Sequence, residues 1–117
     1  MSRIKDMDII RELVNKKLNL TKIAIMVYLL SRGSVTFKEL YEDLGLTPGN
    51  AWSHLEKLRK EGLVNIKKEL GEGRPRVVVE LTQKGLNEVE SLLEVFDILS
   101  KFREFLPGAG EGPEGSE

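Results

Sequence analysis

Leu44-Gly45-Leu46-Thr47-Pro48-Gly49-Asn50-Ala51-Trp52-Ser53-His54-Leu55-Glu56-Lys57-Leu58-Arg59-Lys60-Glu61-Gly62-Leu63-Val64 is the stretch on which the fold turns. Gly45 stops one helix, Leu46 bridges, and Thr47 offers its hydroxyl to the free N–H groups that begin the next. Pro48 takes the first helical position, where its missing N–H is harmless and its φ is already helical. Ala51, Leu55 and Leu58 repeat at i, i+4 and i+7, the mark of a helix with one buried face, and Gly62 closes it. Trp52 flanks that stripe and reads as core. At about 100° per residue the opposite face carries Gly49, Asn50, Ser53, Lys57 and Lys60. His54 sits at the boundary between the two faces.

Upstream, Thr36 and Glu39 fit a capping box that opens a short helix with Phe37, Leu40, Tyr41 and Leu44 on its apolar face. Residues 34–36 read as a short extended link. Before them, 22–31 is apolar nearly all round and is expected at the centre of the domain, with Thr21 as N-cap and Gly33 as stop. A first helix is expected over about 7–18, where Ile10, Leu13 and Val14 fall at helical spacing.

Downstream, the period changes from 3.6 to 2. Val64, Ile66 and Lys68 alternate with Asn65, Lys67 and Glu69, and 77–81 is a β-branched run, so two strands joined across the Gly-rich loop 71–75 form a hairpin. Pro75 limits its strand to an edge or a start. Thr82 opens a last helix expected to reach about Leu106, some 37 Å at roughly 1.5 Å per residue, where Pro107 ends it. That helix carries two apolar stripes, Val89, Leu92, Phe96 and Leu99 on one side and Val95, Ile98, Phe102 and Phe105 on the other. Residues 1–106 are thus expected to form one domain. Residues 107–117, built from Pro, Gly, Ala, Glu and Ser, are expected to be a disordered tail.

A length of 117 residues supports one modest core. The 18 Lys and Arg against 19 Asp and Glu name no partner by bulk charge. With Glu111, Glu114 and Glu117 set aside in the tail, 18 basic residues face 16 acidic ones over 1–107, a net +2. The absence of Cys excludes disulfides, Cys-ligated zinc, iron–sulfur clusters and thiol nucleophiles. A single His argues against a metal site or a triad, and Ser53 and His54, adjacent on a helix, point away from each other. No cofactor, no metal and no enzymatic activity are expected. The longest apolar stretch, 23–30, falls far short of the roughly 18 residues that span a bilayer. The N-terminus alternates charge (Arg3, Lys5, Asp6, Asp8) and lacks the apolar segment of a signal peptide. A cytoplasmic protein without membrane contact is the expectation.

A short helix, a Gly turn, a capped second helix and a basic hairpin, in that order, compose a winged helix-turn-helix, mostly α with a small β-hairpin wing (α+β). The quoted stretch resembles the recognition-helix segment of winged-helix regulators related to MarR, ArsR and PadR. It is most similar to the compact prokaryotic subgroup with a Thr-x-Gly-Asn turn, here Thr47 to Asn50, and a His-Leu pair, here His54-Leu55. Gly73-Arg74-Pro75-Arg76 running into Leu81-Thr82-Gln83-Lys84-Gly85 is similar to that subgroup's Arg-Pro-Arg wing followed by Leu-Thr-x-x-Gly. The resemblance spans about residues 20–93. It implies a homodimer that binds double-stranded DNA and regulates transcription, with the recognition helix (about 47–61) in the major groove and the wing (about 67–78) on the adjacent minor groove and backbone. Related regulators often bind a small-molecule effector near the dimer interface. Metal sensing of the ArsR kind lacks its ligands here.

The residue chemistry agrees. Asn50 suits a bidentate contact to adenine, and Ser53 suits a base or a phosphate. Lys57 suits phosphate, and the N–H groups around Pro48, Gly49 and Asn50 form an anion site at a helix start. The resemblance implies that His54, a boundary residue, supports the helix or touches a phosphate. Arg74 and Arg76 suit a narrow minor groove, Lys67 and Lys68 lie on the strand feeding that tip, and Thr36 and Lys38 add a backbone contact. One small domain covers one stripe of the last helix and leaves the other as exposed apolar surface unless a partner covers it. Val95, Ile98, Leu99, Phe102 and Phe105, helped by the first helix, are therefore expected at a dimer interface; the alternative is that the N-terminal helix alone covers the second stripe. The competing reading is a winged helix used for protein contact without DNA affinity. Near-neutral charge and the carboxylates among the helix lysines favour it; the Arg-Pro-Arg wing and the Thr-x-Gly-Asn turn oppose it.

Overall fold

Two-residue β1 decides the sheet: Val35–Thr36 is not a passive link but a strand, pairing antiparallel with β3 (Val35↔Val79, Thr36↔Val78). The computed structural model describes residues 2–15 and 19–108. Their elements are α1 (Ser2–Asn15), α2 (Leu20–Arg32), β1, α3 (Phe37–Leu44), α4 (Pro48–Lys60), β2 (Val64–Gly71), β3 (Arg74–Leu81), α5 (Gln83–Ser100) and a 3₁₀ turn, Lys101–Phe105. The chain divides into two compact units. One is Leu18–Glu90; the other joins Met1–Lys17 with Ser91–Glu117.

In the first unit, the three-stranded sheet has the order β1-β3-β2. Its core is drawn from every element: Ile25, Met26 and Leu29 of α2, Leu40 of α3, Leu55 and Leu58 of α4, Val64 of β2 and Val79 of β3 are all essentially inaccessible. Each such side chain stabilises the fold by roughly 1.5–3 kcal/mol relative to exposure. Helix α2 is less enclosed than its composition predicts. Val27 and Leu30 are exposed at 38% and 43%, and Leu20 at 78%, because the sheet and α3–α4 cover one side of it only. Its N-cap is Asn19 rather than Thr21: the Asn19 carboxamide oxygen accepts from the N–H groups of Thr21 and Lys22 at 2.8 and 3.1 Å. Asn is the stronger cap, and its side chain reaches two donors at once.

The helix-turn-helix punctuation follows the expected residues. Thr36 and Glu39 close a reciprocal capping box, Gly45 leaves α3 in the left-handed region (φ 69°), and the Thr47 hydroxyl accepts from Asn50 N–H. Past α4, the N–H groups of Gly62 and Leu63 return to the carbonyls of Arg59 and Leu58, a Schellman ending. The hairpin turn is tighter than the expected five-residue loop. Glu72 and Gly73 alone make it, both with positive φ (53° and 80°), and this type I′ geometry matches strand twist. Pro75 therefore lies inside β3, paired with Leu70. It is tolerated because β1 reaches only to Val78, leaving that edge of β3 without a partner strand.

The start of α5 explains the Leu-Thr-x-x-Gly pattern. The Thr82 hydroxyl donates to the Gly62 carbonyl at 2.6 Å and accepts from Gly85 N–H at 2.9 Å, capping the helix while tying it to the end of α4. Lys84 adds a bond to the Glu61 carbonyl at 2.9 Å. Gly85 is buried so close to the Leu63 carbonyl oxygen that any Cβ would collide with it.

In the second unit, α5 stops at Ser100, short of the expected Leu106. Ser100 turns its hydroxyl back to the Asp97 carbonyl at 2.7 Å, which competes with the helical ladder. Leu106, preceding Pro107, is extended (ψ 142°), as a residue before proline prefers. Helix α1 begins at Ser2, earlier than expected; Lys16–Leu18, within its expected range, lie outside the described residues, as do residues 109–117 of the expected tail. The buried row of α5 is Val89, Leu92, Val95 and Ile98, one residue every three, which cuts across the two expected stripes. Among the described residues no helix is long and apolar enough to cross a membrane.

Candidate nucleic-acid interface

Ala51, Leu55 and Leu58 turn inward on α4, and that choice exposes Gly49, Asn50, Ser53, Lys57 and Lys60 as a continuous outer face. His54 is half-buried at its margin. Trp52 departs from the expectation of a core residue: it is 39% exposed. It lies about 100° around the helix from Ala51, beyond the inner arc, and meets Phe37 edge-on, with centroids 5.4 Å apart. Phe37 contacts Tyr41 the same way at 5.0 Å. Three rings thus line the surface between α3 and α4, where edge-to-face geometry is favourable.

The helix start supplies less to an anion than expected. Asn50 N–H is taken by Thr47, Pro48 has none, and Gly49 is left with the unclaimed N–H of that turn among the described residues. The carboxylates on α4 are occupied. Arg59 donates to Glu56 through Nη2 and Nε at 2.9 and 3.3 Å, holding the Glu56 carboxyl below the usual range, and Glu61 pairs with Lys22 at 2.9 Å. Lys57 and Lys60 have no ion-pair partner among the described residues.

Strand register sorts the wing. Cross-strand pairing puts Lys67, Glu69, Arg74 and Arg76 on one face and Lys68, Leu70 and Pro75 on the other. Lys67 and Lys68 are thereby separated. Lys67 is shared between Glu80 at 3.4 Å and Glu69 at 4.0 Å, so its charge is partly spent. Arg74 and Arg76 are exposed and unpaired among the described residues. Arg76 lies across Gly71, where a Cβ would come within 2.5 Å of its Nε, so the glycine makes room for the guanidinium.

These parts meet at the open edge of β3. A groove of about 530 Å³ runs between that edge and the start of α3, with Lys38, Pro48, Arg74 and Arg76 on its walls and Phe37 and Tyr41 beneath. Thr36 also lines it, but its hydroxyl is already committed to the capping box with Glu39. That box holds the Glu39 carboxyl below its ordinary range, chiefly through the Thr36 N–H. A second cluster escaped sequence reading. The Tyr28 hydroxyl donates to Asp43 at 2.7 Å and Arg32 reaches the same carboxylate at 3.1 Å, fastening α2 to α3. Tyr28 and Arg32 are one turn apart on α2, but Asp43 lies 11 residues beyond Arg32 on another helix, and nothing in the sequence signals that contact.

Of the expected dimer residues, Val95 and Ile98 are buried within the single chain (7% and 9% exposed) and are core. Leu99 and Phe102 are half-buried and Phe105 is exposed. Leu93 and Phe96, 42% and 39% exposed, are the outward apolar residues of this part of α5.

Comparison with known proteins places this geometry. A transcriptional regulator homologue from Pyrococcus horikoshii superposes with a TM-score of 0.75 at 32% identity, covering 80% of this chain and 95% of that one. A MarR mutant from E. coli complexed with operator DNA shares the fold (TM-score 0.67, 20% identity, 90% of this chain and 76% of that one). The riboflavin kinase of Pyrococcus abyssi is 34% identical over 97 residues, 80% of this chain but only 44% of the kinase. The profile of the winged helix DNA-binding domain family matches residues 21–100. With that match spanning the helix-turn-helix, the wing and α5, the chain belongs to the winged helix DNA-binding domain family.

Proposed function

We propose that this protein is a homodimeric, sequence-specific transcription regulator that places α4 in the major groove of double-stranded DNA and its wing on the adjacent minor groove and backbone. The observation that carries the reading is the outer face of α4 standing beside two unpaired wing arginines. Asn50 and Ser53 read base edges, with Pro48 and Gly49 allowing close approach. Lys57, Lys38 and His54 meet phosphates, and Arg74 and Arg76 enter the minor groove. Thr36, Lys67 and Lys68 play lesser parts, since the first two are engaged within the fold and Lys68 points to the other face. Family membership, likeness to the P. horikoshii regulator homologue and a fold shared with an operator-bound protein support this reading. The role is regulatory rather than catalytic; the likeness to a kinase concerns less than half of that enzyme. The carboxylates that favoured a protein-contact module, Glu56 and Glu61, are occupied by Arg59 and Lys22.

Dimerisation is assigned to the second unit, through Phe96, Leu99, Phe102 and Phe105. The test is duplex binding titrated with salt, using the DNA upstream of the protein's own gene against a scrambled duplex. Tight, salt-sensitive and sequence-preferring binding is expected. Replacing Arg74 and Arg76 together by Ala should flatten the dependence of log K on log salt by about two phosphate contacts' worth. Absence of binding near 50 mM salt, a concentration at which even non-specific binding is strong, overturns the reading.

A further inference from the structure

We infer that Leu70, at the tip of the wing, is an apolar contact to the minor groove of the duplex, an inference that rests on the DNA-binding reading above. Leu70 is 79% exposed, the most accessible large apolar side chain of the hairpin. It contributes almost nothing to the core, yet the hairpin defines its place. An eight-residue ladder and a two-residue turn with positive φ at Glu72 and Gly73 hold the tip, and register sets Leu70 directly opposite Pro75.

The same register sends Arg74 and Arg76 to the other face. The tip is therefore amphipathic in the way minor-groove binding needs, with the guanidinium groups of Arg74 and Arg76, unpaired among the described residues, on one side and a Leu–Pro pair on the other. A minor groove about 6 Å wide leaves room for the side chains of a tight two-residue tip. Its negative potential attracts arginine, and its walls are deoxyribose rings that accept apolar side chains packed against them or wedged beside a base step. Charge complementarity thus brings the duplex to the tip, and the Leu70–Pro75 face meets the sugar wall.

Electrostatic and apolar contacts are separable by salt, because counterion release scales with phosphate neutralisation alone. The experiment compares the full-length chain with Leu70→Ser and Leu70→Met on the same duplex across a salt series, with melting temperature and solution mass recorded. Leu70→Ser should weaken binding about tenfold at every salt concentration while leaving the salt slope, melting temperature and mass unchanged, and Leu70→Met should bind within about twofold of wild type. Wild-type binding with unaltered affinity in Leu70→Ser overturns this inference and leaves the DNA reading standing. A reduced slope in Leu70→Ser overturns it by showing that Leu70 only positions the arginines. A halved mass overturns it by assigning the residue to contact between copies. A wild-type chain that binds no duplex overturns both readings.

Discussion

Tyr28 shows what a single contact between helices does to a side chain. Desolvation first, and then its bond to Asp43, pushes the phenol up to about 12 from an ordinary value of 10.0. Arg32 opposes the shift without cancelling it. The neutral phenol is the form the fold favours, so its stabilisation is complete below about pH 10 and fades as pH rises through about 12. Phenolate absorbance should accordingly show one of the two tyrosines ionising near pH 12, and Asp43→Asn should move that step downward. If the step stays where it is in Asp43→Asn, the Asp43 bond is not part of the cause. Residue chemistry on α4 was more legible: Asn50, Ser53 and Lys57 follow from the inward stripe alone. Trp52 did not, because helical geometry puts it at the flank and only the presence of Phe37 gives it a surface partner.

At the scale of elements, the junction of α4, β2 and α5 is held by hydrogen bonds and a close backbone approach. Thr82 bonds both to the end of α4 and to the start of α5, and Gly85 lets the new helix lie against the Leu63 carbonyl. Gly85→Ala forces backbone to move rather than a flexible side chain. A destabilisation of about 2 kcal/mol is expected, read as a fall of about 10 °C in Tm. By contrast, a Cβ at Gly71 meets only the guanidinium of Arg76, which can swing away. An unchanged Tm in Gly85→Ala would show that the helix relaxes away from β2 without loss. The caps and glycine stops of α3 and α4 were readable in advance because they depend on neighbours in sequence. The two-residue turn and β1 were not, since both depend on which strand lies alongside.

At the scale of the molecule, the proposed dimer rests on the second unit. Phe96, Phe105 and Leu106 remain exposed there in the single chain. A solution mass twice the 13.2 kDa of the chain is expected. Phe96→Asp should yield the single-chain mass, with weaker operator binding and near-normal secondary structure, because Phe96 lies outside the buried row of α5. A dimeric Phe96→Asp would move the interface elsewhere. If the proposed dimer has a two-fold axis, its two α4 helices would address half-sites about one helical turn apart, so a palindromic footprint is the expected outcome.

The sequence by itself determined the order of helices, the Thr47–Pro48 start of α4, its inward stripe and the alternation of the wing, because each arises from contacts within a few residues of chain. It also excluded thiol and multi-histidine chemistry outright. Only the tertiary structure decided that Trp52 is exposed, that Val95 and Ile98 are core, that Glu56 and Glu61 are occupied, and that Lys67 is shared between Glu69 and Glu80. Those outcomes depend on strand register and on which surface a neighbouring element happens to cover, and neither is written in the local pattern of residues.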